Sequence, residues 1–192
     1  MEATVSWTKN VGNCVTVLET DRLILRPFTL EDFEPLAAMY ADPRVMRLLS
    51  IDGKPDSRFG SWRSLCAIVG HWQLRGFGLF AVFERATGTF IGRVGPWQPE
   101  EWPDFEIGWV LRSDYWGRGY ATEAAERCIA HAFTELGRAH VSSFIVPENA
   151  RSIRVAERVG ERLEGEVRLP HVPERPHLQY GLARAEWRRL NA

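Results

Sequence analysis

The sequence predicts one α/β domain with a mixed, mostly antiparallel sheet flanked by helices. Its 192 residues fit a single domain, since domains cluster near ~100–150 residues and extend to ~250. The composition, with 45% hydrophobic and 26% charged residues, is that of an ordinary globular protein. Strand and helix patterns alternate along the chain, and a strand–helix–strand unit in its second half requires a parallel strand pair with a right-handed crossover.

The first part of the chain predicts a strand followed by helices. A hydrophobic run over residues 23–28 is typical of a strand stopped by proline. Thr29, followed by two acidic residues, predicts the start of a helix that extends to about Tyr40. A short helical turn is expected over residues 42–49.

A second, longer helix is expected next. Asp56 or Ser57 is a suitable N-cap for it, and Gly76 is a suitable end. The residues that we expect on its buried face are Trp62, Leu65, Ile68, Val69 and Trp72.

The remainder of the chain predicts strands around one strongly periodic helix. This helix covers residues 118–136 and has small apolar residues at a period of 3.6. Gly88 lies in a hairpin turn, and Gly160 closes the last expected helix. The expected strands cover residues 79–83, 90–95, 105–111, 140–146, 162–168 and 177–183, with a loop over 96–103 and a helix over 149–159.

The net charge, the short apolar stretches and the first residues of the chain argue against nucleic-acid-binding, membrane and secreted proteins. A formal net charge of −1 provides no overall field for nucleic acid or anionic lipid. The apolar stretches are far shorter than the ~20 residues of a membrane span, and the first residues form no secretory signal. We therefore expect a cytoplasmic protein with no nucleic-acid or membrane partner.

Cysteine spacing argues against both disulfides and a metal site. Cys14, Cys66 and Cys128 are widely separated and form no metal-binding Cys-x-x-Cys pair. We expect them to be reduced thiols, and we expect no metal site. Residues 1–16 have weak periodicity and are expected to be an N-terminal extension of a domain formed by residues 17–192.

The most informative segment joins a strand to the alanine-rich helix through a glycine-bearing turn, Trp116-Gly117-Arg118-Gly119-Tyr120. A helix start leaves backbone N–H groups unpaired and carries about half a positive charge. Gly117 and Gly119 let the backbone approach a bulky anion, and Arg118 adds a full charge. The segment therefore predicts a cradle for a diphosphate.

A Gly-x-Gly turn can also arise from structural packing or from nucleotide binding. An isolated Gly-x-Gly is most often a tightly packed helix start. A dinucleotide-binding turn would carry a third glycine at a fixed offset, and a triphosphate-binding loop would end in Gly-Lys-Ser or Gly-Lys-Thr. This turn has neither feature, so the choice lies between packing and a diphosphate cradle.

The turn and several other segments resemble the GNAT superfamily of N-acetyltransferases. Residues 116–121 are similar to its acyl-CoA loop, Gln/Arg-x-x-Gly-x-Gly/Ala, with Trp116 at the first position as in the branch of ribosomal-protein N-terminal acetyltransferases. Residues 20–26, 106–109 and 149–160 resemble, in order, the first strand, fourth strand and fourth helix of that branch. The resemblance implies the family fold, in which two parallel strands splay apart.

The resemblance also implies acetyl-CoA as the cosubstrate, with no metal. The pantetheine arm would lie between the splayed strands and pair with the backbone of Trp109, Val110 and Leu111 like an added strand. Asn149 matches a family residue that contacts the arm, although it is equally suited to cap the following helix. The residues expected around the pyrophosphate are Gly117, Arg118, Gly119, Tyr120, Ala121 and Thr122.

For the reaction, the resemblance implies direct attack of an amine on the thioester. Many family members place a tyrosine acid on the fourth helix, but this chain has Ala156 there. Ser152, one turn earlier, matches the serine that the ribosomal branch is thought to use, or else it caps the helix. A backbone N–H of Val110 or Leu111 is expected to polarise the carbonyl.

Two residues are candidates for the base. Glu106 lies on the expected fourth strand, one residue out of register with the glutamate of some relatives, a shift that a bulge would correct. His171 falls near a branch position that carries a carboxylate, and its unperturbed pKa of ~6.5 suits proton removal. The structural alternatives are a strand glutamate paired with arginine and an exposed loop histidine.

These observations together predict an acetyl-CoA-dependent N-acetyltransferase acting on a primary amine of a protein N-terminus or a small molecule, with a homodimer as one expected assembly. A noncatalytic acyl-CoA sensor on the same fold is one alternative, favoured by the missing tyrosine. An aminoglycoside-type resistance acetyltransferase is another, which an acidic acceptor cleft would favour.

Trp97, Trp102 and Trp109 are expected to line the acceptor side or to pack in the core.

Overall fold

Eight strands form one sheet in the computed structural model, which describes residues 16–191. All but the last residue of the predicted extension lies outside this range, as does Cys14. The strands are β1 Leu18–Glu19, β2 Leu23–Pro27, β3 Phe80–Glu84, β4 Thr89–Trp97, β5 Glu106–Leu111, β6 His140–Ile145, β7 Arg162–Leu169 and β8 Val172–Ala183. Their order across the sheet is β1-β2-β3-β4-β5-β6-β8-β7, and every pair except β5–β6 is antiparallel. The predicted mixed sheet is confirmed.

Helices cover both faces of this sheet. Ser57 caps the longest one by accepting a hydrogen bond from the Gly60 backbone, and Gly76, at φ 76°, ends it. The short helix α6 was not predicted, because its few apolar positions provide no clear stripe. The six α-helices of the described chain are α1 Phe33–Tyr40, α2 Pro43–Leu49, α3 Arg58–Arg75, α4 Tyr120–Thr134, α5 Ala150–Arg158 and α6 Arg184–Leu190.

The hydrophobic core lies on the two faces of the sheet. On one face, α4 packs through the small-residue stripe that its sequence predicts, so the helix axis can approach the strands closely. On the other face, α1, α2 and α3 pack against the sheet, Leu36 from α1, Met46 from α2 and Leu65 from α3 being buried there. The buried residues of α4 are Tyr120, Ala124, Ala125, Cys128, Ile129, His131, Ala132 and Phe133.

The buried face of α3 is rotated relative to the prediction. Trp62 and Val69 are 41% and 42% exposed, so their predicted burial is wrong. Ser61 and His71 are buried instead. Both can enter the core because their polar atoms are satisfied within the protein: the His71 ring hydrogen-bonds to the Phe77 carbonyl at 2.7 Å, for example. Polar side chains with local partners thus take positions that hydrophobicity alone assigns to apolar ones.

Two strand boundaries also differ from the prediction. The loop expected from residue 96 begins later, since β4 continues through Trp97. Strand β8 starts at Val172, five residues before the predicted start at 177. Pro173 and Pro176 obscure this strand in the sequence, because proline lacks the N–H that a ladder normally uses.

The parallel pair β5–β6 opens into a V. A single register pair, Glu106 with Ser142, joins the two strands, and the Ser142 N–H donates to the Phe105 carbonyl at 2.9 Å. Beyond that point the Ser143 hydroxyl, rather than a backbone amide, reaches the Ile107 carbonyl at 2.9 Å. No helix in the described range is long and apolar enough to cross a membrane.

Candidate functional site

The V between β5 and β6 forms a cleft that brings several predicted residues together. Glu106, Asn149 and Ser152 all line it, although Glu106 lies on β5 and the other two lie at the start of α5. The end of α2 and strand β8 also contribute to its lining, through Leu48 and His177. The full lining is Leu48, Arg93, Glu106, Ile107, Gly108, Trp109, Val110, Ser143, Phe144, Ile145, Val146, Asn149, Ser152 and His177.

The backbone of β5 offers N–H groups to this cleft at every second residue. The Arg112 N–H donates to the Ile91 carbonyl on β4, and the β4–β5 register is unbroken from Leu111 to Glu106. Because N–H groups alternate in direction along a strand, Val110 also faces β4, whereas Trp109 and Leu111 face the V. Of the two predicted donors to the thioester carbonyl, only Leu111 has its N–H on the open side.

The glycine-bearing turn precedes α4 in the conformation that an anion cradle requires. Gly117 and Gly119 have φ values of 76° and 82°, in the left-handed region that side chains disfavour. Gly119 is the N-cap of α4, and no side chain caps this helix. The first N–H groups of α4 are therefore available to a ligand, as the sequence predicts for a pyrophosphate.

Arg22 anchors this turn from the other end of the chain. Its guanidinium donates to the Arg118 carbonyl at 3.0 Å and pairs with Glu123 of α4 at 2.5 Å. The same carboxylate accepts from the Thr20 hydroxyl at 2.5 Å. The Arg118 side chain lies over the Tyr115 ring at 5.0 Å. No sequence pattern marks Arg22 for this role, because it lies about a hundred residues from the turn that it holds.

At the start of α5, Asn149 and Ser152 have separate roles. The Asn149 side chain accepts a hydrogen bond from the Ser152 backbone N–H at 3.2 Å, so Asn149 is the N-cap. The Ser152 hydroxyl instead accepts from the Trp109 indole at 3.3 Å. Ala156 is fully buried one turn further on. The hydroxyl proton of Ser152 thus remains free to be donated into the cleft.

Glu106 lies near the closed end of the V. Its carboxylate accepts a hydrogen bond from the Trp102 indole at 2.8 Å. Burial raises the pKa of this carboxyl to about 7, against the opposing effect of the Trp102 hydrogen bond and the charge of Arg93. No β4–β5 bulge shifts its register, so that expected correction is wrong. Among the described residues no arginine lies within 4.0 Å of it, and the expected structural pairing is also absent.

His171 lies outside the cleft lining, in the turn between β7 and β8. Its exposed ring stacks on Trp102 at 5.1 Å, with an interplanar angle of 19°. Partial burial against this ring lowers the pKa of His171. The two candidate bases therefore contact the same indole, Glu106 at its N–H and His171 on its face.

Trp97 differs in its surroundings from Trp102 and Trp109. It stacks on His71 at 4.5 Å and so packs within the protein. Trp102 and Trp109 both hydrogen-bond to side chains at the cleft. Two of the three tryptophans therefore border the site.

A second buried carboxyl group, which sequence reasoning missed, lies behind the V. Glu161 is 2% exposed, and its Oε1 lies 3.0 Å from the Ser143 hydroxyl. Its Oε2 has no hydrogen-bond partner among residues 16–191. Burial raises the pKa of Glu161 well above its usual range, with smaller contributions from Glu106 and Glu164. A lone glutamate after a helix-ending glycine carries no sequence signal for such a position.

Comparison with known proteins identifies the family. A family model described as an acetyltransferase (GNAT) domain matches residues 22–162. The chain belongs to the GNAT acetyltransferase family. The uncharacterized N-acetyltransferase p20 of Bacillus licheniformis is 30% identical over 153 residues, which cover 79% of this chain and 85% of that protein.

Solved structures agree with this assignment. The acetyltransferase from Agrobacterium tumefaciens str. C58 has a TM-score of 0.78 and 31% identity, and the match covers 91% of this chain and 98% of that chain. A ribosomal alpha-N-protein acetyltransferase solved in complex with coenzyme A shares the fold at 15% identity, with a TM-score of 0.71 and coverage of 88% and 98%. The predicted family, fold class and acetyltransferase assignment are confirmed.

Proposed function

We propose that this GNAT protein transfers the acetyl group of acetyl-CoA to a primary amine bound in the cleft. The observation that carries the proposal is that Glu106 and Ser152 line one V-shaped cleft. The Leu111 N–H is directed to the open side of β5, and α4 begins without a side-chain cap. Acetyl-CoA supplies an activated thioester. The backbone groups of β5 and the start of α4 bind and orient it.

Each residue has a distinct task in this proposal. Glu106 accepts the proton of the attacking amine, since its pKa of about 7 allows it to be ionised at and above neutral pH. The Leu111 N–H stabilises negative charge on the carbonyl oxygen. The Ser152 hydroxyl, oriented by Trp109, donates a hydrogen bond to the departing thiolate.

Two features favour this enzyme over the alternatives. A sensor would need the cradle alone, whereas here a carboxyl of raised pKa and a free hydroxyl also line the cleft. An aminoglycoside-type enzyme would favour an acidic cleft. Glu106 is the single carboxylate in the described lining, which also contains Arg93.

The decisive experiment measures turnover. Wild-type protein is incubated with acetyl-CoA and a panel of primary amines, and release of the CoA thiol is followed while calorimetry records acetyl-CoA binding. We expect saturable binding and amine-dependent thiol release. Binding without transfer to any amine would favour the sensor, and the absence of binding would overturn the proposal altogether.

A further inference from the structure

We propose that the acceptor is a small primary amine that also carries an anionic group, a carboxylate or a phosphate, and that Arg93 binds this group. The inference rests on the proposed function and names the substrate class of the same site. It is drawn from the acceptor side of the cleft, the region bounded by Leu48, Arg93, Glu106 and His177.

The guanidinium of Arg93 is held in place from one side. Arg93 lies on β4, opposite Val110 of β5, and its Nε donates to the Tyr40 hydroxyl at 2.6 Å. Tyr40 is 4% exposed at the end of α1, and its ring centroid lies 5.8 Å from the guanidinium carbon. A buried phenol thus fixes the orientation of a half-buried cation that borders the cleft.

The remaining N–H groups of Arg93 are available to a ligand. Across residues 16–191, Tyr40 is the sole hydrogen-bond partner found for this guanidinium, and no carboxylate lies within 4.0 Å of it. A half-buried guanidinium retains a planar fork of donors that matches a carboxylate or phosphate in a bidentate pair. An anionic group on the acceptor would complete this pair.

The other charged groups on this side do not supply that anion. Glu106, with a pKa of about 7, is only partly ionised near neutral pH. Burial lowers the pKa of His177, which leaves the ring neutral rather than cationic. Arg175 adds a second positive charge from β8. The charge of Glu148 also acts on His177, but Glu148 is exposed and lies outside the cleft lining. Arg93 is therefore the one permanently charged side chain in the described lining, which favours an anionic group and disfavours a polycationic amine.

A bridge across the acceptor side favours a small molecule over a polypeptide. The Arg175 guanidinium donates to the Ser50 carbonyl at 3.3 Å and so connects β8 to the residue after α2. Leu48 and His177, which line the cleft, come from the same two segments. This bridge limits the room for an extended chain beyond the amine.

The test uses pairs of amines that differ in one charge. α-Amino acids are compared with their amides, aminoalkyl phosphates with the matching amino alcohols, and a short peptide with a free N-terminus is included. At saturating acetyl-CoA, kcat/KM is measured for wild type, Arg93→Gln and Arg93→Lys. The control is Arg85→Gln, since Arg85 pairs with Glu19 at the edge of the sheet.

We expect the wild type to prefer the anionic member of at least one class of pair by about tenfold or more, the scale of a charge-assisted bidentate contact. Arg93→Gln should reduce the ratio of kcat/KM for the anionic and neutral amines to near one. Arg93→Lys should retain part of the preference, and Arg85→Gln should leave the ratio unchanged. The class of pair that shows the preference distinguishes a carboxylate from a phosphate.

Three results would count against the inference. Equal turnover of charged and neutral members, an unchanged ratio in Arg93→Gln, or a peptide as the best substrate would each overturn it while leaving the proposed function intact. Absence of transfer to every amine would overturn the proposed function, and the inference with it. The failures of the two proposals are therefore distinguishable.

Discussion

At the start of α5, the cap and the candidate leaving-group donor are different residues, three positions apart in the sequence. The cap bond uses the backbone N–H of Ser152, while its hydroxyl is bonded to Trp109. A substitution at Ser152 can therefore test catalysis without removing the cap. This separation could not be read from the sequence, in which Asn149 and Ser152 were both candidates for the cap.

We predict that Ser152→Ala lowers kcat by about tenfold, equivalent to ~1.4 kcal/mol of barrier, and leaves the melting temperature nearly unchanged. Asn149→Ala is the matched control, since loss of an N-cap costs about 1 kcal/mol of stability. Steady-state kinetics and thermal melting of both variants check the prediction. Full activity together with a lowered melting temperature in Ser152→Ala would show that the role of the serine is structural.

Ionisation of Glu106 should make activity depend on pH. Its carboxyl must be ionised to accept a proton, so activity should rise with pH through its pKa of about 7. Glu106→Gln should lower kcat by ~10²–10⁴-fold and remove this rise, with acetyl-CoA affinity nearly intact. His171→Ala should have little effect, because His171 lies outside the cleft lining.

The same pair of variants can contradict this assignment. If His171→Ala loses activity and Glu106→Gln does not, the histidine is the base. If both variants remain near wild type, water or the substrate itself accepts the proton. The pH profile of activity is measured with the same amine and saturating acetyl-CoA for every variant. Ionisation of the amine then affects all the profiles equally.

Glu161 allows a prediction about stability. A carboxyl whose pKa is raised by folding stabilises the native state fully below its unfolded pKa of ~4.3, and this contribution is lost as pH rises toward the folded value. Glu161→Gln keeps the shape and removes the ionisation. The variant should therefore melt higher than wild type at pH 8, with a smaller difference at pH 4.5.

Glu166→Gln is the control for Glu161, because Glu166 is exposed on β7. It should change the melting temperature little at either pH. If Glu161→Gln changed the melting temperature equally at both pH values, ionisation of the buried carboxyl would not be a source of pH-dependent instability.

At the scale of elements, hydrophobic periodicity predicted the buried face of a helix best where every position of the stripe was apolar. Helix α4 buries the stripe that its small residues define. Helix α3 buries Ser61 and His71 through local hydrogen bonds that a hydrophobic pattern does not reveal. Strand β8 extends through Pro173 and Pro176, which sequence rules place in loops.

The junction between β5 and α4 allows a prediction about cosubstrate binding. Gly119→Val should weaken acetyl-CoA binding by about tenfold or more, because a side chain would stand where the pyrophosphate approaches the backbone. Gly137→Val is a matched control: both glycines have positive φ, 82° and 67°, so the backbone strain is similar, but Gly137 lies beyond the other end of α4. Calorimetry on both variants checks this.

Comparable loss of affinity in the two valine variants would attribute the effect to strain in α4. Unchanged affinity in a folded Gly119→Val protein would show that the pyrophosphate does not approach at this residue. The comparison separates the two causes because a Cβ at Gly137 meets no atom within 4 Å, and a Cβ at Gly119 meets only the Arg22 side chain, at 3.4 Å.

At the scale of the whole molecule, the sheet consists of two halves joined at one register pair. Strands β1 to β5 form one half, and β6, β8 and β7 form the other. Glu106 and Ser142 are the single register pair of the β5–β6 ladder that joins them. Beyond that pair, side-chain hydrogen bonds such as that of Trp109 to Ser152 connect β5 to the second half. A ligand that bonds to the backbone of β5 and to the start of α5 would add further connections between the halves.

We predict that acetyl-CoA stabilises both halves together. At a hundredfold excess over Kd, binding should add about 2.7 kcal/mol to the free energy of unfolding. Amide hydrogen exchange should slow in β5 and β6 as well as at the start of α4. Protection limited to α4 would show that the ligand does not lie in the V.

The overall topology was predictable because most elements have a local signal, β1 and α6 being exceptions, and because the resemblance supplies their order. The acceptor side was not, since Tyr40, Arg93 and Arg175 meet there from distant parts of the chain. None of them belongs to a local pattern that marks a site. Such convergence is a property of the folded chain.

The two indoles at the cleft give the protein built-in optical reporters. Trp102 donates its N–H to Glu106, and Trp109 donates to Ser152. The emission of an indole depends on the charge and hydrogen bonding around it. A variant that keeps Trp102 alone among the eight tryptophans would report the ionisation of Glu106 by fluorescence, and one that keeps Trp109 would report ligand entry beside Ser152. The chemistry of the cleft can therefore be followed in solution without an added label.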